Sequence, residues 1–218
     1  MPPIVCVVGH HNSGKTTLIE RLLVELGGRG YRIATAKHAQ EIEFDRPGTD
    51  SWRHIAAGSR ATVLTGPDRV ILIRPASAHA SLDAVGRILG EDYDLVLAEG
   101  FKQEEAPKIE VQRTETGPLL TDLKRLVAVV SDEALETNAR RFAWADIKGL
   151  ADLLEEGFIK PQRERLSVYA NGTPVVLSSF PREFINNVVL AMAASLKGVG
   201  EIKTLEIHLG KGPDRDAR

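Results

Sequence analysis

Gly9-His10-His11-Asn12-Ser13-Gly14-Lys15-Thr16 fits G-x-x-x-x-G-K-[ST], the pattern of a phosphate-binding loop. Its flanks agree with that reading. Pro3 to Val8 is a short apolar run of strand type, and Thr17 to Leu26 places Leu18, Leu22 and Leu26 at helical spacing. The stretch therefore predicts a buried strand that turns into a helix through a glycine-bearing loop. Backbone N–H groups from Gly9 to Thr17, with Asn12, Ser13 and Gly14 among them, would then face an anion at the helix start. Lys15 would reach the β- and γ-phosphates, and the Thr16 hydroxyl would ligate Mg²⁺. His10 and His11 lie in the loop, where their backbone amides serve whatever their side chains are.

Further along, Tyr31 to Ala36 predicts a second strand ending at Lys37-His38. A polar loop leads to a short helix from Ser51 to Gly58, with Asp50 as its cap. Ala61 to Thr65 and Val70 to Arg74 are short strand candidates, and Ser81 to Leu89 is a helix. Tyr93 to Glu99, Lys108 to Gln112 and Arg125 to Val130 supply three more strands, before a helix containing Leu150, Leu153, Leu154 and Phe158. Continuous apolar strands spaced by helices predict an α/β fold of P-loop NTPase type, a mainly parallel twisted sheet with helices on both faces. This nucleotide-binding domain would span residues 1–160. Glu155 to Arg165 is charged, contains Pro161 and reads as a linker. Residues 166–210 then read as a small ββαβ module: two strands around Asn171-Gly172, a helix from Phe184 to Leu196 and a strand from Ile202 to Leu209.

The chain has 218 residues, 43% of them apolar, so a large core can be buried. A net charge of −2 offers no basic surplus for nucleic acid. The one cysteine, Cys6, falls inside the first strand and reads as a small buried hydrophobe. No apolar run approaches the ~18 residues of a membrane span. The N-terminus lacks a signal-peptide pattern, so the expected location is the cytoplasm.

A phosphate loop needs acidic partners at neighbouring strand ends, where open α/β sheets hold ligands. Glu99 follows Leu95-Val96-Leu97-Ala98 and reads as a metal-site acid or as a strand-end acid facing water. Asp50 could reach Mg²⁺ or cap a helix, and Asp45 is a weaker candidate. Ser131-Asp132 closes an apolar strand. A carboxylate there could accept the paired N1–H and N2–H₂ donors of guanine, or cap a helix. Lys37, His38 and Lys102 could meet an anionic substrate, and the lysines read equally well as surface residues. A Zn²⁺ or Ni²⁺ site built from His10, His11, His38 and His54 lacks any supporting spacing.

Several segments together resemble the molybdopterin-guanine dinucleotide biosynthesis protein B (MobB) family over roughly residues 3–158. They are Gly9 to Thr17, Thr35 to Ala39, Phe44 to His54, Ala57-Gly58, Leu95 to Lys102, Pro107 to Val111 and Ala128 to Asp132. The resemblance implies GTP and Mg²⁺ as ligands and at most feeble GTPase activity. It also implies a homodimer that assists the guanylyltransferase attaching GMP to molybdopterin, with molybdopterin as a further ligand. By position, Gly9, Asn12, Gly14, Lys15, Thr16 and Thr17 would hold the phosphates, Glu99 and Asp50 would face the metal, and Asp132 the base. No residue is assigned a catalytic role, and the module beyond Leu166 lies outside the shorter family pattern.

Two other functions share the loop. One is a small-molecule kinase with Asp45 as base, although no arginine-bearing lid is evident. The other is a GTP-dependent metallochaperone, which would need a soft-ligand cluster.

Overall fold

The computed structural model describes residues 1–39, 45–75, 81–162, 168–170, 173–175 and 177–200, with Leu166, Ile202, Leu205 and Ile207. The chain divides into two compact units, Met1–Arg163 and Glu164–Arg218.

The first unit opens with β1 (Ile4–Val8), the loop, and α1 (Lys15–Gly28). Then come β2 (Ile33–Lys37), α2 (Asp50–Ala56), β3 (Thr62–Thr65), β4 (Val70–Ile73) and α3 (Leu82–Leu89). β5 (Leu95–Glu99), β6 (Lys108–Val111), β7 (Leu126–Val130), β8 (Arg140–Phe142) and α4 (Ile147–Leu154) complete it. Six strands form one sheet in the order β2-β5-β1-β6-β7-β8, and every neighbouring pair is parallel. The chain reverses its direction of travel across the sheet at β1, so the β1–α1 loop lies at a switch point.

Burial explains why these strands lack alternation. Val5, Cys6, Val7 and Val8 are all 0% exposed. Val5 and Val7 pack with Leu18, Leu22 and Leu26 of α1 and with Leu150, Ala151 and Leu154 of α4. Cys6 and Val8 face the other way, against Leu82 and Ala98. Each fully buried aliphatic side chain contributes about 1.5–3 kcal/mol, so the strand carrying the loop is firmly fixed. Burial pushes the Cys6 thiol up to about 11, which keeps it from acting as a thiolate.

Lys108 is fully buried in β6. Its ammonium donates to the carbonyls of Glu104, Ala106 (3.0 Å) and Lys124 (3.2 Å), matching its three donors to three acceptors. This tether holds the connections on both sides of β6. Arg29 does similar work past the end of α1, donating to Glu25, to Asp152 at 2.6 Å and to Glu155 at 2.8 Å.

Local chemistry redraws some sequence boundaries. Thr49, not Asp50, caps α2: its hydroxyl accepts from the Trp52 N–H at 3.3 Å, and Asp50 is the first helical residue. Residues 155–162 are not a linker. A π-turn, Glu155–Ile159, extends α4, followed by a 3₁₀ turn, Lys160–Gln162. β3 and β4 pair with each other as an antiparallel ribbon apart from the main sheet.

In the second unit, β9 (Val168–Ala170) and β10 (Thr173–Val175) pair antiparallel, and α5 (Ser179–Ala194) follows. The Asn171-Gly172 turn and most of the expected Ile202 to Leu209 strand lie outside the described residues. α5 begins earlier than Phe184 because Pro181 falls in its first turn, where a missing N–H costs nothing. Among the described residues, no helix is long and apolar enough to cross a membrane.

Candidate functional site

The loop from Gly9 to Gly14 links the carboxyl end of β1 to α1. Gly9 has φ +147°, and a Cβ there would lie 2.3 Å from the Val111 carbonyl oxygen, so only glycine lets the loop pass this close to β6. Asn12 (φ 58°) and Gly14 (φ 96°) are both left-handed. Such alternation turns successive N–H groups to one side and makes an anion-binding concavity. No side chain caps α1, and its opening N–H groups lack intrahelical partners, as at any helix start. The Ser13 hydroxyl is buried in the loop without a hydrogen-bond partner among the described residues.

Lys15 folds back over this cradle. Its ammonium donates to the carbonyls of His10 at 2.6 Å and Gly9 at 3.3 Å. Burial lowers its pKa, Glu99 opposes the shift, and Lys102 and Lys37 add to it. Lys37 and Lys102 thus act electrostatically on Lys15 at the loop.

Parallel registry places Glu99 beside Val7 of β1 and Lys37 of β2. The Thr16 hydroxyl donates to Glu99 Oε2 at 2.9 Å, and Lys37 Nζ stands 3.3 Å from Glu99 Oε1. Two oxygens of the type Mg²⁺ prefers therefore meet at the helix start, and the donor set fits that ion. Thr16 and Glu99 are the residues that could hold such an ion. Asp50 opens α2. Its carboxylate is 90% exposed, 3.5 Å from the Arg53 guanidinium, and makes no hydrogen bond or ion pair with Thr16 or Glu99 among the described residues. His38 closes β2, with its N–H on the Glu99 carbonyl at 3.0 Å and its ring 5.3 Å from that of Phe101.

Thr17, Ser131 and Asp132 come together in another way. They line a cavity of about 390 Å³ with Arg21, Gln112, Arg113, Glu115, Glu133 and Trp144, within the size range of small-molecule sites. The buried Ser131 hydroxyl donates to Gln112 Oε1 at 2.7 Å, making a closed polar floor. Asp132 Oδ1 accepts the Trp144 N–H at 2.8 Å. The cavity adjoins the phosphate loop directly: a Cβ on Gly14 would lie 2.7 Å from the Trp144 ring.

Sequence reasoning missed Gln112, Arg113 and Trp144. β8, which delivers Trp144, is only three residues long and bears two arginines, so it carries no strand signal. It also missed Glu110, which is 1% exposed with Oε1 on the Leu120 N–H at 2.7 Å and Oε2 unpartnered among the described residues. Desolvation raises its pKa, against the Leu120 N–H. Asp45, the suggested kinase base, is engaged otherwise: Oδ1 accepts from the hydroxyls of Thr49 (2.7 Å) and Ser51 (2.6 Å), which organises the turn into α2. Among the described residues, no three His, Cys, Asp or Glu side chains converge as metal ligands.

A parallel sheet whose central strand feeds a glycine loop and an uncapped helix defines a P-loop NTPase fold. Within that class, residues 4–132 match the family described as molybdopterin guanine dinucleotide synthesis protein B, and the chain belongs to that family. It is 36% identical over 156 residues to the molybdopterin-guanine dinucleotide biosynthesis adapter protein of Haemophilus influenzae, spanning 70% of this chain and 88% of that protein. The Escherichia coli adapter protein is 32% identical over 163 residues, 72% of this chain and 93% of its own length. A putative adapter of Methanocaldococcus jannaschii is 26% identical across 94% of this chain and 97% of its own. A crystal structure of molybdopterin-guanine biosynthesis protein B superposes with a TM-score of 0.56 at 30% identity, covering 70% of this chain and 97% of that one.

Proposed function

We propose that this protein is a GTP-binding adapter in molybdopterin guanine dinucleotide formation, in which it serves the guanylyltransferase that joins GMP to molybdopterin. The adapter names of its relatives support the pathway. The contact of the Thr16 hydroxyl with Glu99, beside a loop spanned by Lys15, carries the nucleotide reading. Amides and ammoniums at one end of the sheet would take the triphosphate, Thr16 and Glu99 would hold Mg²⁺, and Asp132 would read guanine. Molybdopterin, whose phosphate is anionic, is a second ligand for the Lys37–His38 edge.

Slow hydrolysis is part of this reading. Fast GTP cleavage needs a residue that positions water or an arginine aimed at the phosphates. Gln112 is tied at both ends, accepting from Ser131 and donating to the Gly117 carbonyl at 3.3 Å. A homodimer is part of this reading. The β3–β4 ribbon exposes Val63, Val70 and Leu72, and two-stranded ribbons are marginal alone in water. The protein would work in the cytoplasm.

The test is GMP transfer to molybdopterin by the guanylyltransferase at limiting GTP, with and without this chain. Wild type should stimulate transfer, Lys15→Ala should not, and the isolated protein should turn over GTP more slowly than ~1 s⁻¹. Equal stimulation by Lys15→Ala would remove nucleotide binding from the role.

A further inference from the structure

Trp144 is held through both of its backbone polar groups. Its N–H donates to Asp132 Oδ1 at 2.8 Å, and its carbonyl accepts from Arg21 Nη1 at 2.6 Å. The indole lies against Gly14, the residue from which α1 springs. The Arg113 guanidinium lies on its face, 4.5 Å from the ring centroid. Arg113 Nη2 would be 3.5 Å from a Cβ on Gly14, so this cation stands between the phosphate loop and the cavity. The indole Nε1–H is buried without a partner among the described residues, an uncommon state for a tryptophan donor. A planar cation on an aromatic face, beside a carboxylate and a phosphate loop, matches the chemistry of a purine nucleotide: a π-face to stack, an edge to read and an anion to pair.

We propose that Arg113 and Trp144 form the nucleoside clamp of this site. The purine base stacks on the outer face of the guanidinium, which stays seated on the indole beside Gly14. Asp132 performs two tasks with its two oxygens: Oδ1 fixes the tryptophan, and Oδ2 remains for the base edge. The Gln112–Ser131 pair floors the cavity with its polar groups already satisfied. This assignment rests on the nucleotide reading above, and it specifies where selectivity resides: the loop binds any polyphosphate, and the clamp admits the nucleoside.

The chain has two tryptophans, so Trp52→Phe leaves Trp144 as the sole indole. In that protein, GTP with Mg²⁺ should change Trp144 emission saturably, and inorganic tripolyphosphate should bind by calorimetry without doing so. Arg113 is exposed, so Arg113→Ala should fold normally by circular dichroism. Loss of one stacking and charge partner should weaken GTP about tenfold or more and leave tripolyphosphate within about twofold. If GTP binds without altering Trp144 emission, and Arg113→Ala binds GTP as wild type does, the clamp is refuted and the nucleotide reading survives. If wild type binds neither GTP nor tripolyphosphate, both fall together.

Discussion

Replacing Glu99 with glutamine separates the metal from the phosphates. The carboxylate is 15% exposed, between the Thr16 hydroxyl at 2.9 Å and Lys37 Nζ at 3.3 Å. Glutamine keeps the size and an acceptor for Thr16 but removes the charge. An interaction with an ionised partner is worth about 1.5–3 kcal/mol, which sets the loss at roughly tenfold to hundredfold in affinity. That loss should fall on GTP binding with Mg²⁺ alone. In EDTA the sign reverses: the carboxylate repels phosphate, and Lys15, Lys37 and Lys102 remain. Metal-free GTP should bind the variant as well as wild type or better. Calorimetric titration of both proteins with GTP, in Mg²⁺ and in EDTA, gives the enhancement due to the metal. An undiminished enhancement in Glu99→Gln would refute the assignment of Glu99 to the ion.

Other consequences are as specific. Asp132→Asn keeps the carbonyl acceptor for the Trp144 N–H, so the cavity should survive. It should weaken GTP about tenfold and spare ATP, and equal losses in calorimetry would remove Asp132 as the guanine reader. Gly9→Ala forces a Cβ to within 2.3 Å of the Val111 carbonyl oxygen in a left-handed conformation. Strain of about 1–3 kcal/mol should appear as a lower urea midpoint, with loss of tripolyphosphate binding. Arg29→Ala should lower the Tm at neutral pH. Its hydrogen bond, ahead of those of Lys160 and Tyr31, holds the Glu155 carboxyl down at about 2 from an ordinary 4.5. A depressed carboxyl stabilises the fold above its unfolded pKa and loses that contribution as pH falls through its folded one. The Tm difference between Arg29→Ala and wild type should therefore shrink between about pH 4.5 and pH 2, and a constant difference by calorimetry would contradict the pairing of Arg29 with Glu155.

Much of the candidate site is legible in the sequence where a local requirement dictates residue type. The loop needs glycine where Val111 crowds Gly9 and where Gly14 turns left-handed, and it needs Lys15 and Thr16 at fixed offsets. Glu99 is visible because an acid ends a wholly buried strand. Arg113 and Trp144 are invisible for the opposite reason. They are 31 positions apart (144 minus 113) and meet only because β6 and β8 flank β7. Asp50 shows the risk of a composite signal, since Thr49 and Asp50 both suit a cap and the backbone chose the threonine. The stretch after α4 misleads through its charges, because Glu155 and Lys160 answer Arg29 and each other instead of marking a linker.

The most direct measurement is a crystal structure of the full chain with Mg²⁺ and a non-hydrolysable GTP analogue. The triphosphate should lie against the amides from Gly9 to Thr16, with the cation at Thr16 and Glu99 and the guanine in the cavity beside Asp132. A nucleotide bound elsewhere, with Lys15 still on the carbonyls of Gly9 and His10, would contradict the account at its root.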